Sequence, residues 1–442
     1  MQRAAINELY RWKESKNRKP LILDGARQVG KTWLMKEFGR LAYKEVIYVS
    51  LDVNTQIASA FESSINPNRI ISTLELSSGK KINPDDTLII LDEIQQVPRA
   101  LTSLKYFYED APQYHIICAG SLLGIALHEG TSFPVGKVEF LSIQPLSFRE
   151  FLDNTYGEQY VSLLETMDFD MMASFRGLYT DALREYLIVG GMPEVVQIYI
   201  DTKDFSEVRR VQNMILVAYE QDFSKHAPSA VVPRIRAVWD NIPSQLAKQN
   251  KKFVYGLIKD GARAKDYETA IMWLCDCGLV RKISRVTTAR LPLKSYVDTK
   301  AFKLYAVDVG LLGCMAFIKP EIILDGDRLF TEFRGSLVEA YVCQQLHTDS
   351  DIRIYYYTND RNSAEIDFVI DTGEKVVPIE AKASINLKAK SLKVYRELFD
   401  PSISIRTSMA DYKENDGLFD IPLYAVSCIA DICANKITPQ SS

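Results

Sequence analysis

Along the first 150 residues, short apolar runs alternate with stretches of helical periodicity. The runs fall at 20–23, 45–51, 87–91, 115–119 and 138–143. They are continuously apolar rather than alternating, as strands are when both faces of a sheet are covered, and the helical stretches between them supply the cover. This pattern predicts a parallel α/β sheet. From Phe148 to about Asp222 the period is helical, with one break at Gly190-Gly191-Met192-Pro193. Between about Val231 and Gly313 short helices precede two strand-like runs. Tyr267, Ala270, Ile271 and Leu274 make a helical stripe, with Asp266 as its N-cap and Gly278 as its stop, before strands at 279–286 and 303–307. A helix followed by a hairpin is how a winged helix-turn-helix reads. The last segment opens with a helix near Arg328 and continues with strands at 352–357, 366–370 and 376–381. The chain is therefore expected to be α/β and multidomain, divided at 1–155, 156–230, 231–320 and 321–442.

Composition narrows the function classes. With 47% hydrophobic and 25% charged residues among 442, the chain can bury several cores and is not a disordered polymer. A net charge of −4 excludes gripping nucleic acid by bulk charge, but the charge is uneven. Residues 233–312 hold 15 Lys and Arg against 7 Asp and Glu, a local +8 that leaves −12 for the remainder. Arg281, Lys282, Arg285, Arg290 and Lys294 concentrate in the expected wing and are the candidate phosphate contacts. The helix before it carries Lys265, Glu268, Thr269 and Asp276, a poor base-reading face, so DNA contact competes with a protein partner for this module. The seven cysteines form no CxxC pair, which fits a reducing compartment better than a disulfide framework or a zinc site. The N-terminus has no apolar stretch of signal type and no run approaches a membrane span, so the expectation is a soluble, cytoplasmic protein with no membrane association.

The strongest chemical signal is Gly25-Ala26-Arg27-Gln28-Val29-Gly30-Lys31-Thr32, which fits GxxxxGK[ST] with a strand before it and a helix after it. Such a loop curls its backbone N–H groups around phosphate oxygens at a helix N-terminus. Gly25, Arg27, Gln28, Val29, Gly30, Lys31 and Thr32 are the candidate ATP-binding residues, Lys31 reaching the β- and γ-phosphates and Thr32 supplying an oxygen to Mg²⁺. The run at 88–91 ends in Asp92-Glu93 at the edge where open parallel sheets bind ligands. Asp92 is expected to hold the Mg²⁺ and Glu93 to polarise the attacking water. The run at 115–119 ends in Gly120-Ser121, whose hydroxyl is a candidate γ-phosphate contact or, equally, a helix N-cap.

A second constellation lies near the C-terminus. Asp367 sits in one strand, and Glu380 and Lys382, thirteen and fifteen residues on, share a face of the next. With Glu339 on the preceding helix, this set resembles the PD-(D/E)xK nuclease fold. In it the carboxylates would hold a second Mg²⁺ or Mn²⁺ and Lys382 would position water.

The segments LILDGARQVGKT, TLIILDEIQQVP, IICAGSLLGI, LSIQPLSFREFL and YLIVGGMPEVV together resemble the prokaryotic AAA-type ATPases that carry a C-terminal nuclease-like domain. The resemblance implies a P-loop AAA-type parallel-sheet ATPase core (1–155), a helical lid (156–230), a winged helix (231–320) and a restriction-endonuclease-like α/β end (321–442), with room for a homo-oligomer. Where many relatives place an arginine before PLSF this chain has Gly136-Lys137, which leaves Arg149 and Arg176 as substitutes. The function this implies is ATP hydrolysis whose nucleotide state controls a DNA-binding, nuclease-like module. The alternative is a nucleotide-switched interaction protein with an inactive nuclease fold.

Overall fold

The computed structural model describes residues 1–120, 134–248, 252–324, 333–348, 352–359, 364–383 and 390–437. Two compact units emerge. One comprises Gln2–Gln144 with Asp276–Leu279, and the other comprises Met1, Pro145–Cys275 and Val280–Ser442.

In the first unit, β1 (Leu21–Asp24), β2 (Glu45–Ser50), β3 (Thr87–Asp92), β4 (His115–Ala119) and β5 (Glu139–Ser142) form a sheet in the order β2-β3-β4-β1-β5. Every described pairing in it is parallel. The five apolar runs are thus its five strands. β3 and β4 are buried along their whole length, which is why neither alternates in sequence. Ile89, Leu91 and Ile116 pack with Phe61, Leu74, Leu104 and Phe107, contributed by the helices Thr55–Ser63, Pro67–Ser78 and Pro98–Asp110. Because all strands run the same way, β1 and β3 deliver their C-terminal residues, Asp24 and Asp92, to one edge of the sheet.

The second unit departs from the expected plan. β6 (Val280–Val286) and β7 (Val297–Ala306) form the expected antiparallel hairpin, but β6 also pairs in parallel with β8 (Arg353–Thr358). The sheet continues through β9 (Glu365–Asp371), β10 (Val376–Ala381), β11 (Ser404–Ser408), β13 (Leu418–Pro422) and β12 (Lys413–Asn415). Its order is β12-β13-β11-β10-β9-β8-β6-β7. The expected wing and the expected C-terminal domain therefore share one sheet. The hairpin is not free because Val286 and Tyr357 are both buried in a common core with Ile366, Val369 and Tyr395. Asp266 also shifts role: the helix starts at Ala264, and the Asp266 carboxylate accepts from the Arg263 N–H one turn back.

The PLSF and GGMP segments meet inside this unit. The Leu146 N–H donates to the Gly191 carbonyl (2.7 Å), and the Tyr186 hydroxyl donates to the Leu146 carbonyl (2.5 Å). Ser147 and Glu150 form a capping box at the start of the helix Phe148–Tyr156. Asp308, fully buried, accepts from the Gly191 N–H (2.6 Å), the Leu311 N–H (3.0 Å) and Gln344 Nε2 (3.1 Å). A side chain at Gly190 or Gly191 would put its Cβ 2.1 Å from Asp308 or from the Leu146 carbonyl. Close approach, rather than hinge freedom, explains the glycine pair.

Candidate nucleotide site and C-terminal acidic centre

The loop after β1 bends where its sequence permits. Gly25 (φ 120°) brings its Cα so near the Ile143 carbonyl that a Cβ would stand 2.2 Å away. Val29 is buried and its carbonyl accepts from Arg3 (3.1 Å), which also binds the Gln144 carbonyl (2.7 Å). Arg27 and Gln28 are exposed on the loop's outer side. Lys31 begins the helix Lys31–Ala42, is itself buried, and folds back so that Nζ donates to the Gly25 and Ala26 carbonyls, each at 2.8 Å. Burial lowers its pKa to about 8, against the opposing pull of Glu93, Asp24 and Asp92.

Thr32 Oγ1 donates to Asp92 Oδ2 at 2.7 Å, joining the loop to the end of β3. Tyr48, on β2, donates to the same oxygen at 3.0 Å. Burial, followed by Asp92, pushes the Tyr48 phenol up to about 12, so it remains a donor through the physiological range. Tyr48 has no motif to mark it; only the neighbouring register of β2 and β3, which sets Ser50 opposite Asp92, brings it to the site. Asp92 Oδ1 accepts from the Glu93 N–H (3.1 Å), and Glu93, at φ 53°, turns the chain away from the strand with its carboxylate held by Gln95 at 2.5 Å. The expected partners Lys31, Thr32, Asp92 and Glu93 are thus brought to one sheet edge. Ser121 lies outside the described residues.

Glu93→Gln keeps the size and the Gln95 contact but cannot accept a proton from water. This variant is expected to bind ATP as the parent does while turnover falls by about 100-fold or more, the lower range for loss of a positioned base. Nucleotide retention measured beside phosphate release checks it, and unchanged turnover would return Glu93 to a purely structural role.

The arginines proposed for the transition state are committed elsewhere. Arg149 binds the Leu164 carbonyl (3.2 Å) and Asp431 (3.6 Å), Arg176 pairs with Asp411, and Lys137 pairs with Glu109 at 2.9 Å.

The expected nucleic-acid residues separate. Arg281 is 7% exposed, turned inward near Cys343, Tyr186 and Asp308, so it cannot meet a phosphate backbone. Arg285 is spent on Asp298 (2.6 Å) and Thr358 (3.2 Å). Lys282 is exposed, its ammonium 4.5 Å from the centroid of the Phe302 ring. The hairpin's membership of a larger sheet is the physical reason: one of its faces became core.

In the C-terminal centre, β9 and β10 pair antiparallel with Phe368 opposite Ile379, and Asp367 Oδ2 accepts from the Ala381 N–H at 2.9 Å. Lys382 Nζ lies 2.5 Å from Glu380 Oε1. Burial raises the Glu380 pKa despite Lys382 beside it, and the Lys382 ammonium feels Glu380, Asp367 and Glu339. The expected four residues therefore share one electrostatic neighbourhood. A fifth, absent from the sequence reading, sits among them. Lys303 of β7 is wholly buried, 2.6 Å from Glu365 and 3.8 Å from Glu339. Its neighbour two residues on, Tyr305, donates to Glu339 Oε2 at 3.1 Å. Burial alone would lower the Lys303 pKa, but Glu339, Glu365 and Asp367 outweigh it and hold it above the ordinary value. Among the described residues, no three His, Cys, Asp or Glu side chains converge closely enough to hold a metal ion. Glu339, Asp367 and Glu380 are thus neighbours in charge without forming such a cluster.

Comparison with known proteins bears on the first unit. Residues 17–152 match the family model described as an AAA domain. Two further models, each described as a domain of unknown function, match residues 180–321 (DUF8612) and 334–426 (DUF4143). Among curated proteins none matches the chain. Among solved structures, the Walker-type ATPase of Pyrococcus abyssi is similar at 15% identity and a TM-score of 0.43, over 71% of this chain and 95% of that one. The Aeropyrum pernix ORC1 protein, solved in complex with DNA, is similar at 13% identity and 0.27, over 72% and 93%. AMPPCP-bound DnaA from Aquifex aeolicus is similar at 14% and 0.27, over 61% and 85%. The first unit has a P-loop ATPase-like α/β core with a parallel sheet, and its residues 17–152 match the AAA-domain model. No described helix is long and apolar enough to cross a membrane.

Proposed function

We propose that the chain is a Mg²⁺-dependent ATPase whose nucleotide state switches the interactions of its second unit. The observation that carries this reading is the 2.7 Å bond from Thr32 to Asp92, which joins the loop hydroxyl and the strand carboxylate that a Mg²⁺–ATP complex requires as neighbours. The donor set is all oxygen, as Mg²⁺ prefers, and Tyr48 holds Asp92 in the orientation that faces Thr32. The backbone N–H groups from Gln28 to Lys31 would bind the phosphates. Lys31 would exchange the Gly25 and Ala26 carbonyls for the β- and γ-phosphate oxygens. Glu93, fixed by Gln95, would orient the attacking water and accept its proton. Bound Mg²⁺ would supply neutralisation of charge on the transferring phosphoryl group.

The second unit, in this reading, recognises a partner rather than cutting one. Its exposed basic residues Lys282, Arg290 and Lys294 are the contact set, and nucleic-acid backbone is the partner their charge suits. Replacing all three by Glu is expected to weaken binding to duplex DNA and to flatten the dependence of log K on log salt by roughly 0.9 per lost phosphate contact. Titrations at several salt concentrations test this, and an unchanged slope would redirect the module to protein partners.

A second reading, in which the unit cleaves nucleic acid under nucleotide control, has one observation in its favour: Glu380 Oε2 is buried without a hydrogen-bond partner. A single waiting oxygen is not by itself a ligand set, so the recognition reading is the one we favour.

A further inference from the structure

The C-terminal centre contains its own cation. Four carboxylates lie on a helix and two adjacent strands: Glu339, Glu365 and Asp367 act on Lys303, and Glu380, Asp367 and Glu339 act on Lys382. Burying carboxylates is unfavourable unless positive charge enters with them. Lys382 supplies part of that charge from the rim, where its side chain is 32% exposed. Lys303 supplies the rest from inside. Its side chain is 0% exposed, its Nζ is 2.6 Å from Glu365 and 3.8 Å from Glu339, and the Tyr356 ring lies 4.9 Å from it on a further side. Tyr305 takes up another lone pair of Glu339. An ammonium and a phenol thus both meet Glu339 Oε2, and the same ammonium meets Glu365 Oε1.

We infer that Lys303 is a resident cation of this centre, seated where a divalent ion would need Glu339, so that the Asp367–Glu380–Lys382 set holds strands together instead of binding a catalytic metal. The inference rests on the reading of the second unit as a recognition module and gives that reading its physical cause. It also gives the hairpin β6–β7 a purpose other than a DNA-reading wing. The hairpin carries Lys303 and Tyr305 into the sheet's acidic interior, and this requires it to be an integral part of that sheet.

The test uses the full chain with Asp92→Asn as background, so that a metal ion at the nucleotide site does not contribute. Tb³⁺ is the probe, because Tyr305 and Tyr356 stand beside the centre and would sensitise its emission. With Lys303 present, no tyrosine-sensitised emission that Asp367→Asn removes is expected at micromolar Tb³⁺. Lys303→Met, which keeps the chain's length and removes its charge, is expected to raise that emission at least tenfold, and adding Asp367→Asn is expected to abolish the gain. Emission from the Lys303 protein that Asp367→Asn removes would overturn the inference, as would a folded Lys303→Met protein with no gain. If Lys303→Met does not fold, the comparison of the Lys303 protein with its Asp367→Asn variant decides alone.

Cleavage of linear DNA and of RNA with Mn²⁺, measured on the chain with Asp92 intact, separates the two levels of the argument. Terbium bound without cleavage would end the resident-cation inference and leave the recognition reading standing. Cleavage that Asp367→Asn abolishes would end both.

Discussion

Lys31→Ala is expected to abolish ATP turnover while the protein remains folded. Lys31 is the ammonium at the start of the helix Lys31–Ala42, placed where this reading has it meet the β- and γ-phosphates. Losing one preorganised electrostatic contact of this kind costs on the order of 10²–10³ in rate, and more where charge builds up on a phosphoryl group. Stability should move little, because the free protein bears a cost for keeping this ammonium charged. Its pKa falls to about 8 on folding, mainly through burial. The unfolded chain therefore binds more protons between about pH 8 and the ordinary lysine value, and the free protein gains stability as pH rises through that window. Binding ATP would reverse the shift. At pH 9, nucleotide binding should take up nearly one proton, whereas at pH 7 it should take up almost none. Calorimetry in buffers of different ionisation enthalpy reads this directly. The uptake should vanish in Lys31→Ala, and turnover at the parental rate in that variant would refute the site.

Asp308→Ala is expected to have the largest effect on stability. The carboxylate receives the N–H groups of Gly191 and Leu311 and the amide of Gln344 in a fully buried position. Removing it leaves the Gly191 and Leu311 N–H groups without an acceptor and takes one of the two acceptors of Gln344 Nε2, the other being the Tyr186 hydroxyl; the cost of breaking such a buried charged network is about 3–5 kcal/mol. In a unit of this size that corresponds to a fall in melting temperature on the order of 10 °C. The first unit should be little affected, so two-transition melting would show a loss in one transition only. A shift within a degree of the parent would mean that the Gly190–Gly191 segment is held by something other than Asp308.

How much of this was legible in the sequence depends on the range of the interaction. The strands of the first sheet and the segment from Gly25 to Thr32 were readable because each is a local pattern: an apolar run, or a loop whose glycines and lysine are adjacent in the chain. Asp92 and Glu93 were readable because they end such a run. Tyr48 was not, since its place beside Asp92 depends on which strand pairs with β3, and a lone exposed tyrosine has no signature. The same limit explains the second unit. Asp367, Glu380 and Lys382 could be joined by a hairpin argument, but Lys303 reaches them only through the packing of a distant strand. Counting charge across residues 233–312 treated every arginine as a surface residue. Arg281 and Arg285 were lost to the interior because the count contains no information on which face of the hairpin is covered. A buried lysine in a strand reading Lys-Leu-Tyr-Ala-Val could have raised the question, since a charge in an apolar strand demands a partner.

The pairing of β6 with β8 also bears on how the protein must be made. Arg285 lies opposite Tyr356 and Val286 opposite Tyr357, partners some seventy residues apart. During synthesis the hairpin emerges long before β8, so its inner edge waits unpaired while the intervening helix Phe333–Leu346 is still being delivered. Closing so long a loop is slow, and an open strand edge is an invitation to pair with another chain. A fragment begun at residue 321 would lack the hairpin altogether, and with it both Lys303 and the cover over Tyr357. The C-terminal sheet should therefore be produced from a start well before Val280, and shorter fragments should collect as aggregates.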